Sequence, residues 1–146
     1  MTNGFDLDAY LERIATEPGP ADEATLRRIV SGHARAIPFE NLDIHRGLAI
    51  RLDLASLTEK LVRSRRGGYC FEHNTLLQAA LRALGFAPRA LAGRVRYLGP
   101  TLLPRTHMLL MVDVGTTTFL ADVGFGGRNL REPLPLEVGQ PITQDR

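Results

Sequence analysis

Arg65-Arg66-Gly67-Gly68-Tyr69-Cys70-Phe71-Glu72-His73-Asn74 couples a glycine pair to an apolar, helix-compatible run over residues 71–84. Cys70, the sole cysteine, therefore stands at the start of a predicted helix. Backbone N–H groups and the helix dipole at such a place favour the thiolate, the reactive form. A lone thiol also excludes an internal disulfide and a multi-cysteine metal centre. Cys70 reads as well as a buried small hydrophobe, the ordinary fate of a free cysteine.

Upstream the pattern is helical. Leu7, Tyr10, Leu11 and Ile14 recur at helical spacing, and Pro18-Gly19-Pro20 is expected to end that segment. A second helix is predicted over 22–36, with Leu26, Ile29, Val30, His33 and Ile37 on its apolar face and Pro38 as its stop. Residues 43–51 read as an irregular connection. A third helix is expected from about Asp53, with Ser56 and Glu59 in capping-box spacing and Leu57, Leu61 and Val62 facing the core. Gly85 is a natural terminator for the helix that Cys70 opens.

Downstream the period changes to two. Residues 91–97 alternate, and 107–114 and 116–123 are strand-like around a turn at Val114-Gly115. Helices first and strands afterwards predict an α+β fold: an N-terminal helical bundle over 1–86, then a partial antiparallel β domain over 87–146. The tail 132–146 is Pro-rich and weakly patterned, so three strands with an open edge are expected, and with them self-association.

Two further residues bear on the thiol. His107 lies in Thr106-His107-Met108, and Asp122 sits between apolar neighbours just before Val123-Gly124-Phe125-Gly126-Gly127. A neutral imidazole is a suitable base, and a carboxylate can fix its tautomer, so Cys70, His107 and Asp122 make a candidate Cys-His-Asp triad. Each has a plainer alternative: a strand-end histidine, or an aspartate capping a glycine loop. Asp113 competes with Asp122 but suits a hairpin turn better. The glycine loop offers backbone N–H groups to a phosphate or oxyanion, although no helix follows as a dinucleotide fold requires. Cys70 and His73 share a helical face as C-x-x-H, yet His33, His45 and His107 show no ligand spacing with them, so no metal site is expected. His33, on an apolar face, reads as a core histidine. Glu40 requires a cation, and Arg66 is the candidate.

Composition narrows the class. The 146 residues carry a net charge of only +2, with no Trp and few aromatics, which gives a nucleic-acid role little support. Residues 1–10 lack a signal pattern, no apolar run approaches the ~18 residues of a membrane span, and a free thiol fits a reducing compartment. The expectation is a cytoplasmic protein with no membrane contact.

Four segments together resemble the arylamine N-acetyltransferases: Ile37-Pro38-Phe39-Glu40-Asn41-Leu42, Arg66-Gly67-Gly68-Tyr69-Cys70-Phe71-Glu72-His73-Asn74, Thr106-His107, and Asp122 followed by Val123-Gly124-Phe125-Gly126-Gly127. The resemblance runs from about Leu7 to Val138. It implies a triad arranged as in cysteine proteases and transglutaminases, with Cys70 as nucleophile, His107 as base and Asp122 as its orienting partner. It implies acceptor contacts at Phe39, Val95 and Phe125, CoA contacts at Gly126 and Gly127, and a structural ion pair between Glu40 and Arg66. The implied activity is ping-pong acetyl transfer from acetyl-CoA, a co-substrate and not a tightly bound cofactor, to arylamines, arylhydrazines or N-hydroxyarylamines in xenobiotic metabolism. Family members are about twice this length, so a C-terminal α/β domain is expected to be absent and activity weakened. A peptidase- or transglutaminase-like hydrolase and a non-catalytic binding remnant are the alternatives.

Overall fold

The computed structural model describes residues 4–96, 103–127 and 129–137. Tyr97 of the predicted alternating run, Val138 at the limit of the resemblance, and the tail beyond residue 137 lie outside the described residues. The chain is α+β. Helices α1 (Leu7–Arg13), α2 (Glu23–Ala36), α3 (Leu42–His45) and α4 (Leu54–Leu57) come first. A π-helical segment (Thr58–Arg63) and α5 (Cys70–Ala83) follow. Strands β1 (Arg89–Arg94), β2 (Arg105–Val114), β3 (Thr117–Ala121) and β4 (Leu134–Pro135) complete the described part.

Local chemistry sets most helix boundaries. Asp6 and Asp22 cap α1 and α2 by accepting the N–H of Ala9 and Thr25. Such a cap contributes about 1 kcal/mol. Ile37 leaves the helical region at φ −109°, ψ 112°, as the following proline demands. The end of α1 departs from expectation. Ala15 turns left-handed at φ 51° and Thr16 N–H bonds back to Leu11 O at 3.0 Å, so the helix closes before Pro18 is reached. Asp53, and not Ser56, caps α4: its Oδ1 accepts Ser56 N–H at 2.9 Å. After Leu57 the chain widens by one residue per turn, with Ser64 N–H bonded to Glu59 O. Part of the supposedly irregular 43–51 stretch is the short helix α3. Gly85, at φ 88°, ends α5 as expected, and Phe86 N–H returns to Leu81 O.

Among the described residues the sheet is antiparallel in the order β1-β2-β3-β4. A two-residue turn at Gly115-Thr116 joins β2 to β3, with Val114 facing Thr117. The expectation of three strands is corrected by β4, which pairs Leu134 and Pro135 with Leu120 and Phe119 and covers one edge. One buried cluster spans both halves: Tyr10, Leu26, Ile29, Leu61, Leu76, Leu77 and Leu81 meet Leu110, Val112, Phe119 and Ala121. Helix α5 lies against β2, and this packing brings the cysteine to the sheet. No helix among the described residues is long and apolar enough to cross a membrane.

Candidate active site

Cys70 is positioned by what precedes it. The segment through Phe39 runs alongside Gly68 as an isolated parallel bridge, with Glu40 N–H on Gly68 O at 2.9 Å and Gly68 N–H on Pro38 O at 3.3 Å. That approach requires glycines. A Cβ on Gly67 would collide with the Pro38 carbonyl oxygen, and one on Gly68 would lie 2.7 Å from Glu72 Oε2. Glu72 reaches back to accept Tyr69 N–H at 3.0 Å, which fixes the first turn of α5. The Cys70 thiol is nearly buried and points at the Thr106 carbonyl oxygen, 3.8 Å from Sγ.

His107, the third residue of β2, holds Asp122 Oδ2 at 2.6 Å through Nε2. Nδ1 is then the ring nitrogen left for Cys70. Burial pulls the imidazole pKa down, but hydrogen bonds to Asp122 and Cys70 outweigh it and raise the value to about 9. Asp122 is itself satisfied: Oδ1 accepts Asn74 Nδ2 at 3.1 Å and Gly124 N–H at 3.0 Å. Asn74 also donates to Met108 O at 2.8 Å and accepts Val123 N–H at 3.3 Å. One amide thus ties α5, β2 and the post-β3 loop together behind the histidine.

A cavity of about 410 Å³ opens over Cys70 and His107, lined by Phe39, Val95, Thr106, Gly124, Phe125 and Gly127. Phe125 meets the His107 ring edge-on at 5.0 Å. Gly126 borders a neighbouring cavity of about 590 Å³ that shares Phe39 and Gly127 and also receives Arg35 and Arg131. The structure therefore gathers Cys70, His107, Phe39, Val95, Phe125 and Gly127 around one space, with Asp122 behind His107 and Gly126 next door. Several residues lie elsewhere. Asp113 is exposed beside the hairpin, bonded to Thr118 and Arg89. His73 turns away from the thiol, because its ring packs among α2 and Pro38. No group of three or more His, Cys, Asp or Glu among the described residues could hold a metal.

Beneath the cysteine loop runs a charge ladder. Glu40 pairs with Arg66 at 2.8 Å, Arg66 with Asp43 at 2.8 Å, Asp43 with Lys60 at 2.8 Å, and Lys60 with Glu72 at 2.7 Å. Hydrogen bonds from Arg66, then Lys60, hold the Asp43 carboxyl at about 2. Sequence reasoning named only the first pair. It missed Asp43, Lys60, Glu72 and Asn74, although two signals were present. Glu72 occupies the reach-back position three residues after Tyr69, and Asn74 follows Cys70 by one helical turn.

A sequence family described as N-acetyltransferase matches residues 22–146. The chain is 50% identical over 133 residues to the arylamine N-acetyltransferase / N-hydroxyarylamine O-acetyltransferase of Salmonella typhimurium, covering 90% of this chain and 47% of that protein. It is 45% identical over 149 residues to an arylamine N-acetyltransferase of Mycolicibacterium smegmatis, covering 97% and 54%. Among solved structures, Mycobacterium marinum arylamine N-acetyltransferase in complex with CoA superposes with a TM-score of 0.90 at 42% identity, over 95% of this chain and 54% of that one. The chain spans about half the length of the curated relatives it matches. With a family match over most of its length and relatives that agree in name, the chain belongs to the arylamine N-acetyltransferase family.

Proposed function

We propose that this chain transfers an acetyl group from acetyl-CoA, through a thioester on Cys70, to an arylamine, arylhydrazine or N-hydroxyarylamine. The observation that carries this is the Cys70–His107–Asp122 arrangement at the floor of a largely apolar cavity. The arrangement resembles that of cysteine proteases and transglutaminases, with the nucleophile in a helical part, 1–86, and the other two members in a β part, 87–146. A cytoplasmic location accords with a free thiol as nucleophile.

An imidazole with a pKa of about 9 is charged at neutral pH, and the reacting pair in this proposal is a Cys70 thiolate beside that imidazolium. The Sγ electron pair attacks the thioester carbonyl carbon. The bond from that carbon to the CoA sulfur breaks, and CoA leaves as a thiol with the His107 proton. The amine nitrogen then attacks the Cys70 thioester, His107 takes the amine proton, and the C–Sγ bond breaks to restore the ion pair. Asp122 holds the ring through both halves. Phe39, Val95 and Phe125 offer apolar and aromatic surface to a flat acceptor, and Gly126 and Gly127 offer backbone to the CoA end.

Incubation with acetyl-CoA, followed by intact-mass measurement, tests the proposal. An acetyl adduct that is lost on adding arylamine, and that is absent in Cys70→Ala, is expected. No adduct on a thiol that still alkylates with iodoacetamide would overturn it.

A further inference from the structure

Tyr10, His33 and His73 are fully buried, yet the triad uses none of them. They form a chain: Tyr10 Oη to His33 Nδ1 at 2.9 Å, His33 Nε2 to His73 Nδ1 at 2.9 Å, and His73 Nε2 to Pro38 O at 3.2 Å. The last acceptor sets every proton. A carbonyl oxygen only accepts, so His73 Nε2 carries hydrogen and its Nδ1 presents a lone pair. His33 must then donate from Nε2 and accept at Nδ1, and Tyr10 must donate. With both rings neutral there is one arrangement, and it points from α1 through α2 and α5 to Pro38.

We propose that Tyr10, His33 and His73 are positioning residues for the acceptor pocket, because their one-way hydrogen-bond chain fixes the Pro38 carbonyl and with it Phe39. This rests on the acetyl-transfer proposal in assigning Phe39 to acceptor binding. Phe39 is 41% exposed, so core packing does not hold it. Its ring lies parallel to His73 at 6.4 Å and against Gly126. Its backbone is pinned before it at Pro38 O, which accepts from both His73 Nε2 and Gly68 N–H, and after it by Glu40 N–H on Gly68 O. Three apolar side chains of similar size would fill the same core without any buried polar group to satisfy. What the polar chain adds is direction at its end.

The surroundings keep both rings uncharged. His33 faces Tyr10 and Arg13 from α1 and His73 from α5; burial, then His73 and Arg13, push it well below the usual range. His73 faces His33, the carbonyls of Pro38 and Gly68 and, at longer range, Asp122 and Glu40. Burial outweighs these and takes it to about 4.

The test combines tautomers with conservative replacement. In 15N-histidine NMR, His33 and His73 should both carry hydrogen on Nε2 and bare Nδ1, without titrating near neutral pH. In His73→Leu the Phe39 ring resonances should move and arylamine affinity should fall about fivefold, as for one lost hydrogen bond. Iodoacetamide should still alkylate Cys70 within about twofold of the parent rate, a change too small to signal altered thiol chemistry. His73→Gln, which keeps an acceptor and a donor, should restore both readouts. Binding is read on a Cys70→Ala background and Phe39 by its own resonances, so the outcome stands whether or not the chain transfers acetyl. If His73→Leu does not fold, Tyr10→Phe removes only the first donor and should shift Phe39 in the same direction. An Nδ1–H tautomer on either ring, titration near neutral pH, or unmoved Phe39 resonances would overturn the proposal.

Discussion

His107 and His73 are two buried imidazoles in one small molecule, and their surroundings drive them in opposite directions. Burial lowers the pKa of each. His73 ends on neutral carbonyls and a neutral imidazole, so burial wins and the value falls to about 4. His107 has a carboxylate at 2.6 Å and a thiol on its other side, so charge wins and the value rises to about 9. What His107 has and His73 lacks is a carboxylate in hydrogen-bond contact, with Cys70 beside it, and that carboxylate is held in place by Asn74 and the Gly124 N–H.

The strongest way to break this contrast is Asp122→Asn. The variant keeps the shape and removes the charge. His107 should drop from about 9 toward or below the ordinary range, and acetyl transfer should fall about 10⁴-fold, the loss known for a neutralised triad carboxylate in another enzyme. A His107 that still titrates near 9 would show that the carboxylate is not the cause. Next in size is Lys60→Ala, which leaves the buried Glu72 without its cation at the base of the cysteine loop. A loss of about 3 kcal/mol in urea unfolding is expected, at the low end for buried pairs because Lys60 retains some contact with solvent. A change below about 1 kcal/mol would mean that the ladder behaves like a surface pair.

The pH dependence of stability should show both histidines at once. His73 has a folded pKa of about 4 against 6.5 unfolded, so stability is lost as pH falls from 6.5 toward 4. His107 has a folded pKa of about 9 against 6.5, so its contribution is complete below 6.5 and is lost as pH rises through 9. Each limb should slope by about 1.4 kcal/mol per pH unit for each proton involved. His73→Gln should make only the acid limb shallower, because His33, also held neutral by burial, still loses stability as pH falls. Asp122→Asn should flatten only the alkaline one, as read from urea midpoints across the range. The smallest effect is reserved for Asp113→Asn. This exposed carboxylate, paired with Arg89, should alter stability by less than about 0.5 kcal/mol and leave acetyl transfer as it was.

What the sequence revealed and what it hid divide by range. The Pro38 stop and the Gly85 terminator act within a few residues, so the ends of α2 and α5 were legible almost to the residue. The strand-like runs 107–114 and 116–123 located β2 and β3, and His33 was legible as a core histidine from its neighbours on one face. Partners distant in sequence escaped. The short helix α3 carries Asp43, which is tied to Arg66 and Lys60. The two-residue β4, half of it proline, acquires strand character only from Phe119 and Leu120. The histidine of C-x-x-H looked like a neighbour of the thiol, whereas its ring bonds α2 and Pro38. Asn74 sat inside the quoted motif, but its role depends on Met108, Asp122 and Val123, and no spacing on α5 announces them.

Lys60, the chain's only lysine, spends its ammonium on Asp43 and Glu72, which raise its affinity for the proton. A free amine attacks an acetyl thioester with little selectivity, and guanidinium groups, protonated at any physiological pH, do not compete with it. Every other long basic side chain here is arginine. A thioester of the kind proposed as donor would therefore meet a single amine side chain here, and that one is shielded as a cation between two carboxylates.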